Sequence, residues 1–192
     1  MERANPAKRR PAPPLDAAAL ERLALRYVER FATTRGRLVD YLKRKIRERG
    51  WQGPAADPLA IAERFAALGY IDDRAFGEAR AAAMARRGLG ARRVGGALRA
   101  AGIDAEDAEA IAPAIAGRTI ASAIAFARRK RIGPFALAEA DRPQRERQLA
   151  AMIRAGHGFD IARQIVALAP GDEAALAALD DEGQDFGTRQ FS

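Results

Sequence analysis

The chain contains no cysteine and, among its 192 residues, a single histidine, His157. Disulfides, thiolate nucleophiles and thiolate metal sites are excluded, and one imidazole can assemble neither a histidine-rich metal site nor a Ser–His–Asp constellation. Aromatic residues make up only 6%, and β-branched runs with period-two alternation are missing, so there is little from which to build a sheet. No stretch approaches the ~18 consecutive apolar residues that a membrane helix needs. The opening "MERANPAKRRPAPPLD" has charge and proline but lacks the apolar segment of a secretory signal. These absences lead to the expectation of a soluble, cytoplasmic, non-membrane protein with no catalytic residue, no metal and no cofactor.

What is present is alanine, leucine, arginine and glutamate, a vocabulary of helices. Apolar residues reach 48% and the formal net charge is +8, which favours a polyanion or an acidic protein as partner. The charge is unevenly placed. Residues 169–192 hold one arginine against six carboxylates, so the remaining body is more basic than the total.

Helix breakers arrive at steady intervals. Apolar residues at three- and four-residue spacing (Leu20, Leu23, Tyr27, Phe31) predict an amphipathic helix from Asp16 onward. Thr33-Thr34 offers a cap for a second helix ending at Gly50, and Pro58 opens a third that closes at Gly69. Six more follow in the same manner, with stops at Gly88, Gly102, Gly133-Pro134, Gly156 and Pro170 among them. The nine helices fall into three groups of three. In each group the middle helix is basic and ends at a glycine, with an apolar residue four positions earlier (Ile46, Leu98, Met152) and a bulky one just after (Trp51, Ile103, His157). A repeat of about 50 residues predicts an all-α chain of three tandem three-helix repeats in an elongated, curved array. The expected boundaries are a disordered, basic, proline-rich lead (1–14), triplets at 15–71, 72–116 and 117–169, and an acidic tail (170–192).

The stretch "ALGYIDDRAF" tests whether this is an enzyme, because Asp72-Asp73 are adjacent carboxylates. Gly69 sits where a left-handed helix stop belongs, and the aspartates precede a new helix, where they accept from free N–H groups. Tyr70 and Ile71 are expected to pack between two triplets and Phe76 to lie on the first turn of the next helix. A capped joint accounts for every residue, so Asp72 and Asp73 are structural. "GLGARRVGG" lacks the third glycine of a dinucleotide fingerprint, with Arg93 in its place, and Gly88 and Gly90 read as a tight turn between helices. Trp51 is expected to plug the first triplet, and His157 to pack at a helix joint.

"LGYIDDRAFGEA…RRGLGARRVGGALRAAGI", Leu68 through Ile103, resembles the signature of the RecX family, regulatory proteins of the RecA recombinase. Gly69, Tyr70, Asp72, Asp73, Phe76, Gly88, Gly90, Leu98 and Gly102 occupy signature positions. "LKRKIRERGW" (Leu42–Trp51) and "IRAGHGFDIARQIV" (Ile153–Val166) are similar to the family's other repeats. Gly77, Gly95-Gly96 and His157 depart from the usual residues. The resemblance implies a monomeric regulator that binds the RecA–DNA filament, inhibits RecA ATPase and strand exchange, and so modulates recombination, DNA repair and the SOS response. Candidate contacts to RecA or DNA are Lys43, Arg44 and Arg47; Arg86, Arg87, Arg92, Arg93 and Arg99; and Arg128, Arg129, Lys130 and Arg131. The rival reading is a general DNA- or RNA-binding helical-repeat protein independent of RecA.

Overall fold

Asp16, Thr34, Asp57, Asp104 and Asp141 each accept, through a side-chain oxygen, the backbone N–H three residues on, at 2.7 to 3.1 Å. Each cap stabilises a helix start by about 1 kcal/mol, and together they set the rhythm of the chain. A computed structural model describes residues 13–179. Most of the expected disordered lead and the end of the acidic tail lie outside the described residues. Within them the chain is all-helical, with no strand. The α-helices are α1 (Ala17–Arg30), α2 (Arg35–Arg49), α3 (Pro58–Ala67), α4 (Asp73–Arg86), α5 (Ala91–Arg99), α6 (Ala105–Ala116), α7 (Thr119–Lys130), α8 (Arg142–Arg154) and α9 (Phe159–Ala167), with a 3-10 turn at Gly133–Phe135. Residues 173–179 are also helical, capped by Asp172 on the Ala175 N–H.

Most stops share one geometry. Gly69, Gly88, Gly102 and Gly156 all have positive φ. In each case the N–H of the following residue returns to the carbonyl five positions back: Tyr70 to Phe65, Leu89 to Met84, Ile103 to Leu98 and His157 to Met152. This closes the orphan carbonyls of a helix end. The same bond closes α7, from the Ile132 N–H to the Ala127 carbonyl, but with Arg131 in the left-handed conformation (φ 54°) where glycine is usual.

Contacts divide the chain into two units, meeting between Asp72 and Asp73. The first holds α1 to α3 around Leu15, Leu20, Leu38, Leu42, Ile61, Phe65 and Ile71. Its lead-in residues are held by an isolated bridge, Leu15 N–H to the Gly50 carbonyl (3.0 Å) and Gln52 N–H to the Leu15 carbonyl (2.8 Å). The second holds α4 to α9 around two clusters. One centres on Val94, Leu98, Ile103 and Ile111, the other on Phe126, Ile132, Met152 and Ile165. Leu179 packs on the latter, so the beginning of the acidic tail is part of the second unit's apolar packing.

Two expectations need correcting. Asp73 is the first residue of α4 and is buried, so only Asp72 precedes the helix. Tyr70 does not pack away; it is 52% exposed and leans its ring on Phe65 at 5.5 Å, while Ile71 fills the first unit's core. The chain has just left a left-handed glycine there, and successive extended residues point to opposite sides, so one of the pair must face out.

Candidate functional site

The cations of α2 sit on its solvent side. Lys43, Arg44 and Arg47 are exposed, whereas Arg49 folds back to donate twice to the Pro13 carbonyl (2.8 and 3.2 Å). Glu48 receives Lys45 at 2.6 Å and Arg44 at 3.6 Å. The Lys45 hydrogen bond, aided by the nearby positive charges, holds its carboxyl below the usual range. Two carboxylates, Asp40 and Glu48, do not balance the seven cations of the helix. Lys43 and Arg47 face solvent, Arg47 near enough to Glu48 to help lower its carboxyl.

In the second unit the helix ends converge. The carbonyls that close α8 meet the start of α5: Gly90 N–H donates to the Ala155 carbonyl (2.9 Å) and Arg92 N–H to the Gly156 carbonyl (3.2 Å). A Cβ on Gly90 would overlap the Gly156 backbone, and one on Gly88 would lie 2.7 Å from the Phe126 nitrogen. Gly88 and Gly90 are therefore required by close backbone approach, not only by a tight turn. Local sequence carries no sign of that approach, because the opposing chain is about 40 to 70 residues away along the sequence.

His157 sits at the middle of this junction, 1% exposed. Its Nε2 lies 3.1 Å from the Gly88 carbonyl and its ring 5.5 Å from that of Phe126, whereas Nδ1 has no partner. An Nε2–H donor with an acceptor Nδ1 is the neutral tautomer. Burial disfavours the imidazolium and lowers the pKa from 6.5, partly opposed by the Gly88 carbonyl.

Cations ring the same junction. Arg129 donates to the Arg87 carbonyl and lies over the Phe126 ring. The Arg93 backbone and side chain pass beside Gly156. Arg128 covers the Phe135 ring at 5.2 Å. Arg86, Arg87, Arg92, Arg93, Arg128, Arg129, Lys130 and Arg131 are all exposed. The ends of α4 and α7 thus bring Arg87 and Arg129, 42 residues apart in sequence, together. Four of the exposed cations close helix C-termini (Arg86, Arg128, Arg129, Lys130), where the helix dipole alone favours a cation. Arg99 lies at the other end of α5, with its Nη1 near the Cβ position of Gly95.

The remaining signature positions are structural. Leu98 is buried, Phe76 packs beside the cluster of Val94 and Ile111, and Gly69 and Gly102 end helices. Gly77 admits Ile111 and Ile103 against α4; a Cβ there would lie 3.0 Å from the Ile103 Cδ1 and closer still to that of Ile111. This departure from the family pattern accompanies two bulky isoleucines that occupy the vacated volume.

Together, the helices and the exposed arginines define, among the described residues, an all-helical protein with a basic surface. No protein-family model matches the chain. The regulatory protein RecX of Myxococcus xanthus (strain DK1622) is 32% identical to it over 160 residues, 77% of this chain and 83% of that relative. The chain belongs to the RecX family.

Proposed function

We propose that the protein regulates RecA by binding the RecA–DNA filament and inhibiting its ATPase and strand exchange, supplying no chemistry of its own. The observation that carries this reading is the 32% identity with a regulatory protein RecX along most of both chains. The arginine-rich junction of the second unit supports it physically. Guanidinium forks pair two oxygens at once, on carboxylates or phosphates. Three tandem triplets (15–71, 72–116 and 117–169), acting as a monomer, offer Lys43, Arg44 and Arg47 from the first, Arg86, Arg87, Arg92, Arg93 and Arg99 from the second, and Arg128 to Arg131 from the third. Several weak contacts on a repeating polymer combine into tight attachment.

The test is a titration into RecA assembled on single-stranded DNA. ATP hydrolysis and strand exchange should both fall. Replacing Arg92 and Arg93 by glutamate should weaken inhibition roughly thirtyfold, on the basis of about 1 kcal/mol for each of the two lost contacts, while the far-ultraviolet dichroism stays unchanged. Unaltered hydrolysis alongside tight, strongly salt-dependent DNA binding would move the protein to the rival class of RecA-independent nucleic-acid binders.

A further inference from the structure

The first unit carries an open groove of about 530 Å³ that the basic clusters do not explain. Its walls come from α1, the residue that ends it and α2: Arg26, Tyr27, Arg30, Phe31, Tyr41 and Arg44. Tyr27 and Tyr41 stack across the two helices, with centroids 4.2 Å apart and planes 20° apart. Phe31 lies next in the row, 5.4 Å from Tyr27 and tilted 52° to it, and is 50% exposed. Helix packing accounts for the tyrosine pair. It does not account for Phe31, which follows the last turn of α1 with half its ring in solvent.

The cations are placed around those rings. Arg30 lies over Phe31 at 5.5 Å and Arg44 over Tyr41 at 5.6 Å. Arg26 and Arg30 stand one turn apart, a rise of about 6 Å. Three rings in sequence with three guanidiniums along the same groove combine the two elements that bind single strands: a face for each base and a track for its phosphates. A duplex keeps its base faces stacked inside and cannot use the rings. An acidic peptide satisfies the guanidiniums but leaves the rings without a planar partner. The chain's own first ten residues, with four cations and one carboxylate, share the groove's sign of charge.

We propose that this groove seats unpaired nucleotides, with the exposed Phe31 ring stacking on a base and Arg26, Arg30 and Arg44 taking the flanking phosphates. The inference rests on the proposed function for the identity of the polymer, and is tested on the full chain alone so that the two can fail separately. Fluorescence anisotropy would follow binding to a labelled thymidine oligomer, to an abasic oligomer of equal length, and to a duplex. The thymidine strand should bind more tightly than the abasic one. Phe31→Ala should lower thymidine-strand affinity roughly five- to a hundredfold and leave abasic-strand affinity unchanged, whereas Phe31→Trp should preserve it. Arg30→Ala should weaken both single strands and reduce the salt slope by about 0.7.

Phe31 lies outside the buried cluster, and an unchanged melting curve establishes that Phe31→Ala folds. Equal affinity for thymidine and abasic strands, or native affinity in Phe31→Ala, would overturn the proposal. So would displacement of the strand by a peptide copy of the acidic residues 180–192 that itself binds tenfold more weakly to Phe31→Ala, since the rings would then serve a peptide. RecA inhibition without base-dependent binding removes the groove and leaves the regulator. Base-dependent binding without RecA inhibition does the opposite.

Discussion

In the first unit Gly50 releases α2 into an extended chain (φ 81°, ψ 169°), and its carbonyl is taken by the Leu15 N–H. Gly156 in the second unit, preceded by the same apolar-x-x-x pattern, closes α8 with a double turn bond and turns its carbonyl to the start of α5. Gly50 has open surroundings, its Cβ position being 3.8 Å from Pro14, whereas the Gly156 Cβ position is 2.6 Å from the Arg93 nitrogen. One written motif therefore does two jobs. In the first unit it supplies a conformation, and in the second it supplies both a conformation and the space for another helix.

The difference is open to direct attack. Gly156→Ala should cost roughly 2–5 kcal/mol, strained φ plus backbone overlap, against about 1–2 kcal/mol for Gly50→Ala, where only φ is strained. Urea unfolding of the two variants reads the contrast, and equal losses would erase it. Gly77→Ala is next, with an expected loss of about 1–3 kcal/mol as the added methyl displaces Ile111 and Ile103. The first unit has no buried imidazole to compare with His157. Because burial depresses its pKa, the unfolded chain takes up the proton first on acidification. Stability that is fully present above about 6.5 should then decline as the pH falls toward the lower folded value. Melts between pH 7.5 and 5 check this, and His157→Phe should flatten the dependence. The smallest effect expected is a gain. Gly96 lies within α5 without positive φ and with nothing within 4 Å of its Cβ position, so Gly96→Ala should stabilise by about 0.5–1 kcal/mol.

Much of this architecture is legible along the chain because its signals are local. The capping aspartates, Pro58 and the glycines after Leu68, Arg87, Ala101 and Ala155 act within one helical turn, so helix existence and most boundaries follow from them. Phe31 shows the limit of that logic. Its spacing from Leu20, Leu23 and Tyr27 assigns it to the buried face, yet it sits at the end of α1 with half its ring exposed, because the helix stops before the core can cover it. Tyr70 fails in the same way at the end of α3. The grouping of Arg87 with Arg129, and of Arg93 with Gly156, is not written locally at all.

Composition and breaker spacing alone determined that this chain is helical, basic and poor in the side chains of catalysis, since each of those properties belongs to single residues or single turns. Which arginines share a surface, why Gly88 and Gly90 tolerate no side chain, and why one at Gly77 must displace Ile111 and Ile103, was decided only by the tertiary structure. Those are properties of distances between segments 38 and 66 residues apart in the case of Gly88 and Gly90, and 26 to 34 apart for Gly77. Such distances exist only once the helices have packed.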